Sequence, residues 1–305
     1  MRVLILAEKD SVAKPFVLAM KEKGIRANYL QLLKINLVSK HKNIQIKAVE
    51  ENIPNYDAVF LQARTNLAPF IEPLIDILEE QKIYCNAKKG SYYIAANEPY
   101  RFVNLSVNGI KTPKTLLTGS IKNIERVSKK ISYPLIVKSF IEKNVQQSII
   151  VNNDIELNNF VKSIKTKIDG FLLREFIGDC VISCVVIGEK VFAIDRRQGT
   201  KCVLELEKGR SYTPTENEKK LAILAANACG LDIARVDLIK GRVISVEPEI
   251  NLGVFNKVCS ENLEKHVANF FVDKVNSIGV KKNVGDDFVD IANKLSKSIF
   301  SRFLK

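Results

Sequence analysis

Apolar positions along the chain recur in alternating blocks with periods near 3.6 and near 2, which predicts helices and strands in succession. Val3–Ala7 forms a short apolar strand. Val12, Phe16 and Met20 follow at helical spacing behind Asp10 or Ser11, with Pro15 in the first turn and Gly24 as the stop. Asn43–Val49 alternates as a half-buried strand and Asp57–Leu61 is a buried one. Ala68–Gln81 gathers Phe70, Ile71, Leu74, Ile75 and Leu78 on one helix face, and Ile83–Asn86 closes the unit. Alternating β and α elements imply a parallel sheet covered by helices. The first strand-to-helix turn, Ala7–Ser11, has no glycine, so a dinucleotide fingerprint is absent.

The pattern continues with a helix ending near Asn108-Gly109, a turn at Pro113, a helix over Ser120–Ile131 and the buried strand Pro134–Lys138. A polar loop, Ser139–Gln147, leads to the strand Ser148–Val151. A helix from Asp154 then carries Leu157, Phe160, Val161, Ile164 and Ile168. A third region opens with the strand Gly170–Ile177 and a hairpin, Val181–Ile187 and Lys190–Asp195, around Gly188-Glu189. Thr215-x-x-Glu218 is a capping box for a helix that stops at Cys229-Gly230. Ile233–Ile239 and Arg242–Val246, joined by Lys240-Gly241, read as a hairpin, and Ser260 caps a helix carrying Leu263, Val267 and Phe270. The boundaries expected are an N-terminal α/β domain over 1–88, further units over 89–168 and 169–279, and an amphipathic C-terminal helix over 280–305.

Asp237, Glu247, Glu249 and Asn251 interrupt the last hairpin. Ionised carboxylates in a buried strand cost several kcal/mol unless neutralised. Alternation sends Glu247, Glu249 and Asn251 to one face. Taken alone they read first as the solvent face of an amphipathic strand. Two carboxylates and an amide oxygen also make the all-oxygen environment that Mg²⁺ prefers. A two-residue turn at Lys240-Gly241 pairs Asp237 with Ile244 and leaves Glu249 roughly 17 Å along the strand. A shared ion therefore needs a wider loop or a bulge near Pro248. Lys138, at the end of an apolar strand, reads as a snorkelling lysine or as a phosphate-holding point charge.

Composition narrows the function classes. The formal net charge of +13 is spread as short pairs along the chain, with no Trp and no aromatic-interleaved basic stripe, so nucleic acid is not the expected partner. No apolar run approaches the ~18 residues of a membrane span, and the N-terminus lacks a signal-peptide core. The six cysteines are scattered without a CxxC pair, which reads as reduced core residues and a cytoplasmic location. His41 and His266 are too isolated for a metal or acid–base assignment.

The order of elements resembles the ATP-grasp ligases over roughly residues 1–276. The likeness is strongest to the branch of the ligase that adds glutamate to a ribosomal protein tail, with its carrier-protein amino-acid ligases. It rests on Tyr56-Asp-Ala-Val-Phe60, Asn86, Asn108–Pro113, Pro134-Leu-Ile-Val-Lys138, Leu173-Arg-Glu-Phe-Ile177, Arg196-Arg197-Gln198, and Gly230–Asp237 with Val246–Asn251. The resemblance implies an α/β (α+β) ATP-grasp fold, with an N-terminal α/β domain followed by two α+β subdomains clasping nucleotide. It implies ATP and Mg²⁺, or Mn²⁺, as cofactors. Asp237, Glu249 and Asn251 would be metal ligands, Lys138 would hold phosphates, and the backbone of Glu175 and Phe176 would bind adenine. Arg101 would lie near the phosphates, with Arg196 or Arg197 stabilising an acylphosphate or gripping a carboxylate. The implied reaction joins an amino acid such as glutamate to an acidic carrier protein or small carboxylate acceptor, in a homo-oligomer.

Several positions depart from the family. The stretch Ser139–Gln147 lacks the family's glycines, Val181-Ile-Ser183 replaces an Asp-x-Arg, and Thr200-Lys-Cys202 replaces an Arg-Ser-Asn. Glu98 falls where a phosphate-binding lysine is usual, and Leu252-Gly253 replaces small residues and proline. The alternatives are a catalytically degenerate nucleotide-binding or regulatory module, and a basic scaffold for RNA or an acidic protein.

Overall fold

A computed structural model describes residues 1–40, 43–48, 53–141, 144–164, 168–197 and 209–278. The first part contains β1 (Arg2–Ala7), α1 (Asp10–Glu22), β2 (Arg26–Gln31), β3 (Ile35–Lys40), β4 (Asn43–Ala48), β5 (Ala58–Gln62), α2 (Ala68–Glu80) and β6 (Tyr84–Cys85). Strands β2-β1-β5-β6 form a parallel sheet, and β3 and β4 pair as a separate antiparallel hairpin. β5 is buried at every position, as expected where helices cover both faces of a sheet. α1 starts at Asp10 itself. Lys9 holds the N-cap position without a side-chain bond, and Asp10 places its charge in the first turn. β2 and β3 were not expected, because their polar residues obscure any alternation.

The middle part has α3 (Ser91–Ala96), α4 (Glu98–Val107), β7 (Thr115–Thr118), α5 (Ile124–Ser128), β8 (Leu135–Ile141), β9 (Asn144–Val151), α6 (Asp154–Ser163) and β10 (Gly170–Glu175). The single helix expected before Asn108 is two. Asn97 ends α3 and caps α4, its Oδ1 accepting from the Tyr100 N–H at 2.9 Å. The helix expected over Ser120–Ile131 is reduced to a 3₁₀ turn and the short α5. Strands β7-β10-β8-β9 form an antiparallel sheet, so Gly170–Glu175, read as opening the third region, belongs with the middle strands. The stretch read as a polar loop is mostly strand. β8 runs to Ile141 and β9 starts at Asn144, with a bulge between Ser139 and Phe140. Phe140 explains the extension, because it is buried against Phe102 and Leu172.

The third part has β11 (Cys180–Ile187), β12 (Lys190–Arg197), β13 (Arg210–Tyr212), α7 (Glu216–Ala228), β14 (Ile233–Ile239), β15 (Arg242–Glu247), α8 (Leu252–Cys259) and α9 over 263–278. Its antiparallel order is β13-β12-β11-β14-β15. The capping box at Thr215 and Glu218 has both reciprocal bonds. Ser260 closes α8 in a left-handed conformation, and Asn262 caps α9 by accepting from the Lys265 N–H at 3.0 Å. The helix expected over 280–305, Thr200–Cys202 and His41 lie outside the described residues. Among the described residues, five cysteines are free and no helix is long and apolar enough to cross a membrane.

One large core joins the parallel sheet, α2 and α7 to one face of the third sheet, through Leu4, Leu61, Ile75, Val186, Ala225 and Val236. The middle sheet has its own core around Leu135, Val137, Leu157 and Phe171. On its other face Leu172 and Phe140 meet Phe102 of α4. α4 therefore lies against the middle sheet while also reaching the third.

Candidate active site

The two faces of the third sheet differ in chemistry. Cys184, Val186, Ala193, Ala234, Val236 and Val246 face the large core. The opposite face carries Ser183 beside Asp237, Arg196 one strand over, and Arg235 beside Glu247. This row depends on one irregularity. Lys240 and Gly241 both have positive φ and form the expected two-residue turn, pairing Ile239 with Arg242. A regular ladder would continue to Asp237 opposite Ile244. The register instead shifts between Asp237 and Leu238, so that Ser245 lies opposite Asp237 and Glu247 opposite Arg235. Ile244 is the extra residue, and one extra residue reverses which face every later side chain takes. The bulge sits beside the turn, not near Pro248, and it brings Glu247 onto the face of Asp237. Glu249 is then four residues from the pairing partner of Asp237, roughly 14 Å along the chain.

Asp237 is fully buried. Its Oδ1 accepts from Ser183 Oγ at 2.6 Å, and its Oδ2 lies 3.3 Å from Arg235 Nε without a hydrogen bond among the described residues. Arg196 is 2% exposed and stacks over Phe255 at 5.0 Å; no described residue partners its Nε or Nη1. Burial lowers its basicity, while Asp237 opposes that shift. Arg197 is exposed at the strand end. Glu249 and Asn251 line a cavity of about 500 Å³ with Ser11, Gln62, Arg235 and Glu264. A second cavity, about 340 Å³, lies among Arg64, Thr65, Asn66, Arg235, Glu247 and Glu249. Burial raises the Glu249 carboxyl above the usual range, with Glu8 adding to it and Arg64 and Arg235 opposing it.

The second cluster surrounds α4. Lys138 and Arg174 share a face of the middle sheet, since Lys138 is opposite Leu172 and Arg174 is opposite Ile136. Glu98 Oε2 lies 2.6 Å from Lys138 Nζ, and Glu98 Oε1 lies 3.1 Å from Arg174 Nη1. Burial alone would raise the Glu98 carboxyl, but Lys138, Arg174 and Arg101 outweigh it and hold it below its usual value. Burial also lowers the Lys138 ammonium, against the pull of Glu98. Arg101, expected beside phosphate, donates to the Ala95 carbonyl and lies 3.6 Å from Glu247, bracing α4 against the third sheet.

The backbone N–H groups of Glu175 and Phe176, the expected adenine contacts, are engaged by the carbonyls of Lys114 and Pro134 at 2.9 and 3.0 Å. The Glu175 side chain pairs with Arg242 at 2.9 Å, tying the middle sheet to β15. Sequence reasoning missed Arg174 and Arg235. The available signal was a guanidinium set in each of two apolar strands, which requires a carboxylate nearby.

The donors expected for a metal are a hard, all-oxygen set, and Asp237 Oδ2 is a buried oxygen with no hydrogen bond among the described residues. In kind, they fit a divalent cation. Among the described residues no three Asp, Glu, His or Cys side chains form a metal-holding group, and Arg235 both contacts Asp237 and shares a cavity wall with Glu249.

Comparison with known proteins agrees with this architecture. A probable alpha-L-glutamate ligase of Mannheimia succiniciproducens is 27% identical over 207 residues, covering 65% of this chain and 69% of the relative. An ATP-grasp ligase of Chryseobacterium gregarium, solved with ADP and a leader and core peptide, superposes with a TM-score of 0.67 at 14% identity, over 90% of this chain and 97% of that one. The ATP-grasp ligase PsnB, solved with minimal precursor, Mg and ADP, gives 0.68 at 13% identity over 90% and 98%. Residues 96–275 match the RimK-like ATP-grasp domain, and the chain belongs to that family of ligases.

Proposed function

We propose that the chain is an ATP-dependent carboxylate–amine ligase that works through an acylphosphate, joining an amino acid such as glutamate to an acidic protein, peptide or small acceptor. The observation that carries this reading is the pair of cations, the buried Arg174 and the partly buried Lys138, linked through α4 to the carboxylate row of the third sheet. The glutamate-ligase relative and the peptide-bound ligase structures support the substrate class.

In the reaction, an acceptor carboxylate oxygen attacks the γ-phosphorus of ATP and the bond to the bridging oxygen breaks, releasing ADP. The amine then attacks the acyl carbon, phosphate leaves, and the nitrogen loses a proton. Positioning and charge stabilisation do most of the work in phosphoryl transfer. Lys138 and Arg174 hold phosphate oxygens, Lys138 as a point charge and Arg174 as a fork. Arg196 stabilises negative charge from within the sheet, and Arg197 grips the acceptor carboxylate at the strand end. The backbone at Glu175 and Phe176 meets adenine with its carbonyl oxygens, since both N–H groups are engaged. Asp237, Glu249 and Asn251 would hold Mg²⁺ or Mn²⁺, which supplies neutralisation of phosphate charge when bound.

ADP release that requires both an acceptor and an amino acid, and that is lost in Lys138→Ala and Asp237→Asn, is the expected result. ATP left intact with every acidic peptide and amino acid offered would contradict it. A second reading, nucleotide binding without turnover, is favoured by Glu98, whose carboxylate occupies the cations that phosphate needs. ATP binding with no ADP release would select it.

A further inference from the structure

Arg235 lies at the middle of the carboxylate row. It is two residues from Asp237 on the same strand face, directly opposite Glu247, and it lines both cavities that Glu249 lines. Its Nε is 3.3 Å from the Asp237 oxygen that has no hydrogen bond among the described residues, and its charge pulls the Glu249 carboxyl down. Of the neighbouring charges, Arg64 pairs with Glu8 and also acts on Glu249 from the second cavity, and Arg101 lies beside Glu247. Asp237 and Glu249 are separated along the chain, and one guanidinium touches the first and lines both cavities with the second.

We infer that Arg235 is the resident cation of this cleft. It competes with the divalent ion for Asp237 and Glu249, and so sets how strongly metal binds. A dication entering beside Asp237 meets two guanidiniums, Arg235 and Arg196, around one buried carboxylate. Like charges at such distances repel strongly in a low-dielectric wall. Arg235 is 20% exposed and borders open cavities, so it has room to turn away, whereas Arg196 is enclosed. Metal binding and the Arg235–Asp237 contact therefore exclude each other.

The inference rests on the metal assignment of the ligase reading, but its test uses no nucleotide, acceptor or turnover. Mn²⁺ titrated into the nucleotide-free protein is followed by the electron paramagnetic resonance of free Mn²⁺. Arg235→Gln is expected to bind Mn²⁺ about tenfold or more tightly than the wild type, the removal of one opposing charge. Arg235→Lys should stay near the wild type, and Asp237→Asn added to Arg235→Gln should abolish the gain. Equal or weaker Mn²⁺ binding by a folded Arg235→Gln would overturn the inference. The wild-type protein gives an independent reading if the variant does not fold. The Arg235 Nε–H nuclear resonance should move on Mg²⁺ saturation, and an unmoved signal would equally overturn it. A protein that gains Mn²⁺ in this way yet never releases ADP would sink the ligase reading alone.

Discussion

Glu98 lies 2.6 Å from Lys138 and 3.1 Å from Arg174, so one carboxylate in the first turn of α4 joins two cations of the middle sheet. One turn later Arg101 reaches Glu247 on β15, and opposite Glu247 stands Arg235 beside Asp237. Alternating charges thus run from the middle sheet across α4 to the third sheet. An intact buried pair contributes little net stability, but removing one partner leaves a charge stranded in low dielectric.

Glu98→Gln is therefore expected to lower stability by about 3 kcal/mol at pH 7, because Lys138 and Arg174 lose a shared counter-ion. The pH dependence has a definite sign. The Glu98 carboxyl is held below its usual value in the folded protein, against burial, by Lys138, Arg174 and Arg101. Its contribution is complete above the unfolded value near 4.3 and is lost as pH falls through the folded one. Denaturant unfolding of both proteins should show a gap at pH 7 that narrows below about pH 4. A gap of the same size at both ends would contradict the assignment.

The same substitution should strengthen nucleotide binding. Phosphate and the Glu98 carboxylate compete for one pair of cations, so removing the internal anion leaves Lys138 and Arg174 to the ligand. Calorimetry with ADP is expected to give several-fold tighter binding for Glu98→Gln and about tenfold weaker binding for Lys138→Ala. Unchanged affinity in both would place the phosphates elsewhere.

Much of this fold was legible because it depends on local chemistry. The Thr215–Glu218 capping box, the Lys240-Gly241 turn and the buried strand at Ala58–Gln62 each declare themselves within a few residues. The Ile244 bulge does not. It is an agreement between two strands, so spacing along either strand gives the wrong facing for Glu247. β2, with Arg26, Asn28 and Gln31 among its six residues, is a strand only because β1 lies beside it. The glycine-free stretch after Lys138 misled for a related reason. Its polar residues suggested a loop, whereas burial of Phe140 against Phe102 extends the strand. Arg174 and Arg235 were visible as charges in apolar runs, but their partners lie on other elements.

Asn86 provides a test of how the parallel sheet is secured. Its side chain accepts from the Leu61 N–H at 2.7 Å and donates to the Leu61 carbonyl at 3.1 Å, while its own carbonyl accepts from the Asp232 N–H at 2.9 Å. The residue is buried, so no water replaces these bonds if the amide is removed. Asn86→Leu should cost about 2–4 kcal/mol, the penalty for two unpaired backbone groups, read as a lower denaturant midpoint with an unchanged slope.

Gly188 links the β11–β12 turn to α9. Its φ is +58°, and a Cβ added there would lie 2.8 Å from two ring carbons of Phe270. Two costs therefore add for Gly188→Ala. The left-handed backbone disfavours alanine by about 1–2 kcal/mol, and Phe270 must move, disturbing its packing on Tyr84 and Phe271. A total loss of about 2–4 kcal/mol is expected. Asparagine tolerates the left-handed region better than alanine does, but it still carries a Cβ. If contact with Phe270 dominates, Gly188→Asn will be as damaging as Gly188→Ala; if backbone strain dominates, it will be clearly milder. Combining Gly188→Ala with Phe270→Ala separates the two further, because the ring can clash only once. The double variant should then lose less than the sum of the single losses, by about 1 kcal/mol or more in a denaturation cycle. Strict additivity would mean that α9 yields freely and that the turn does not fix its position.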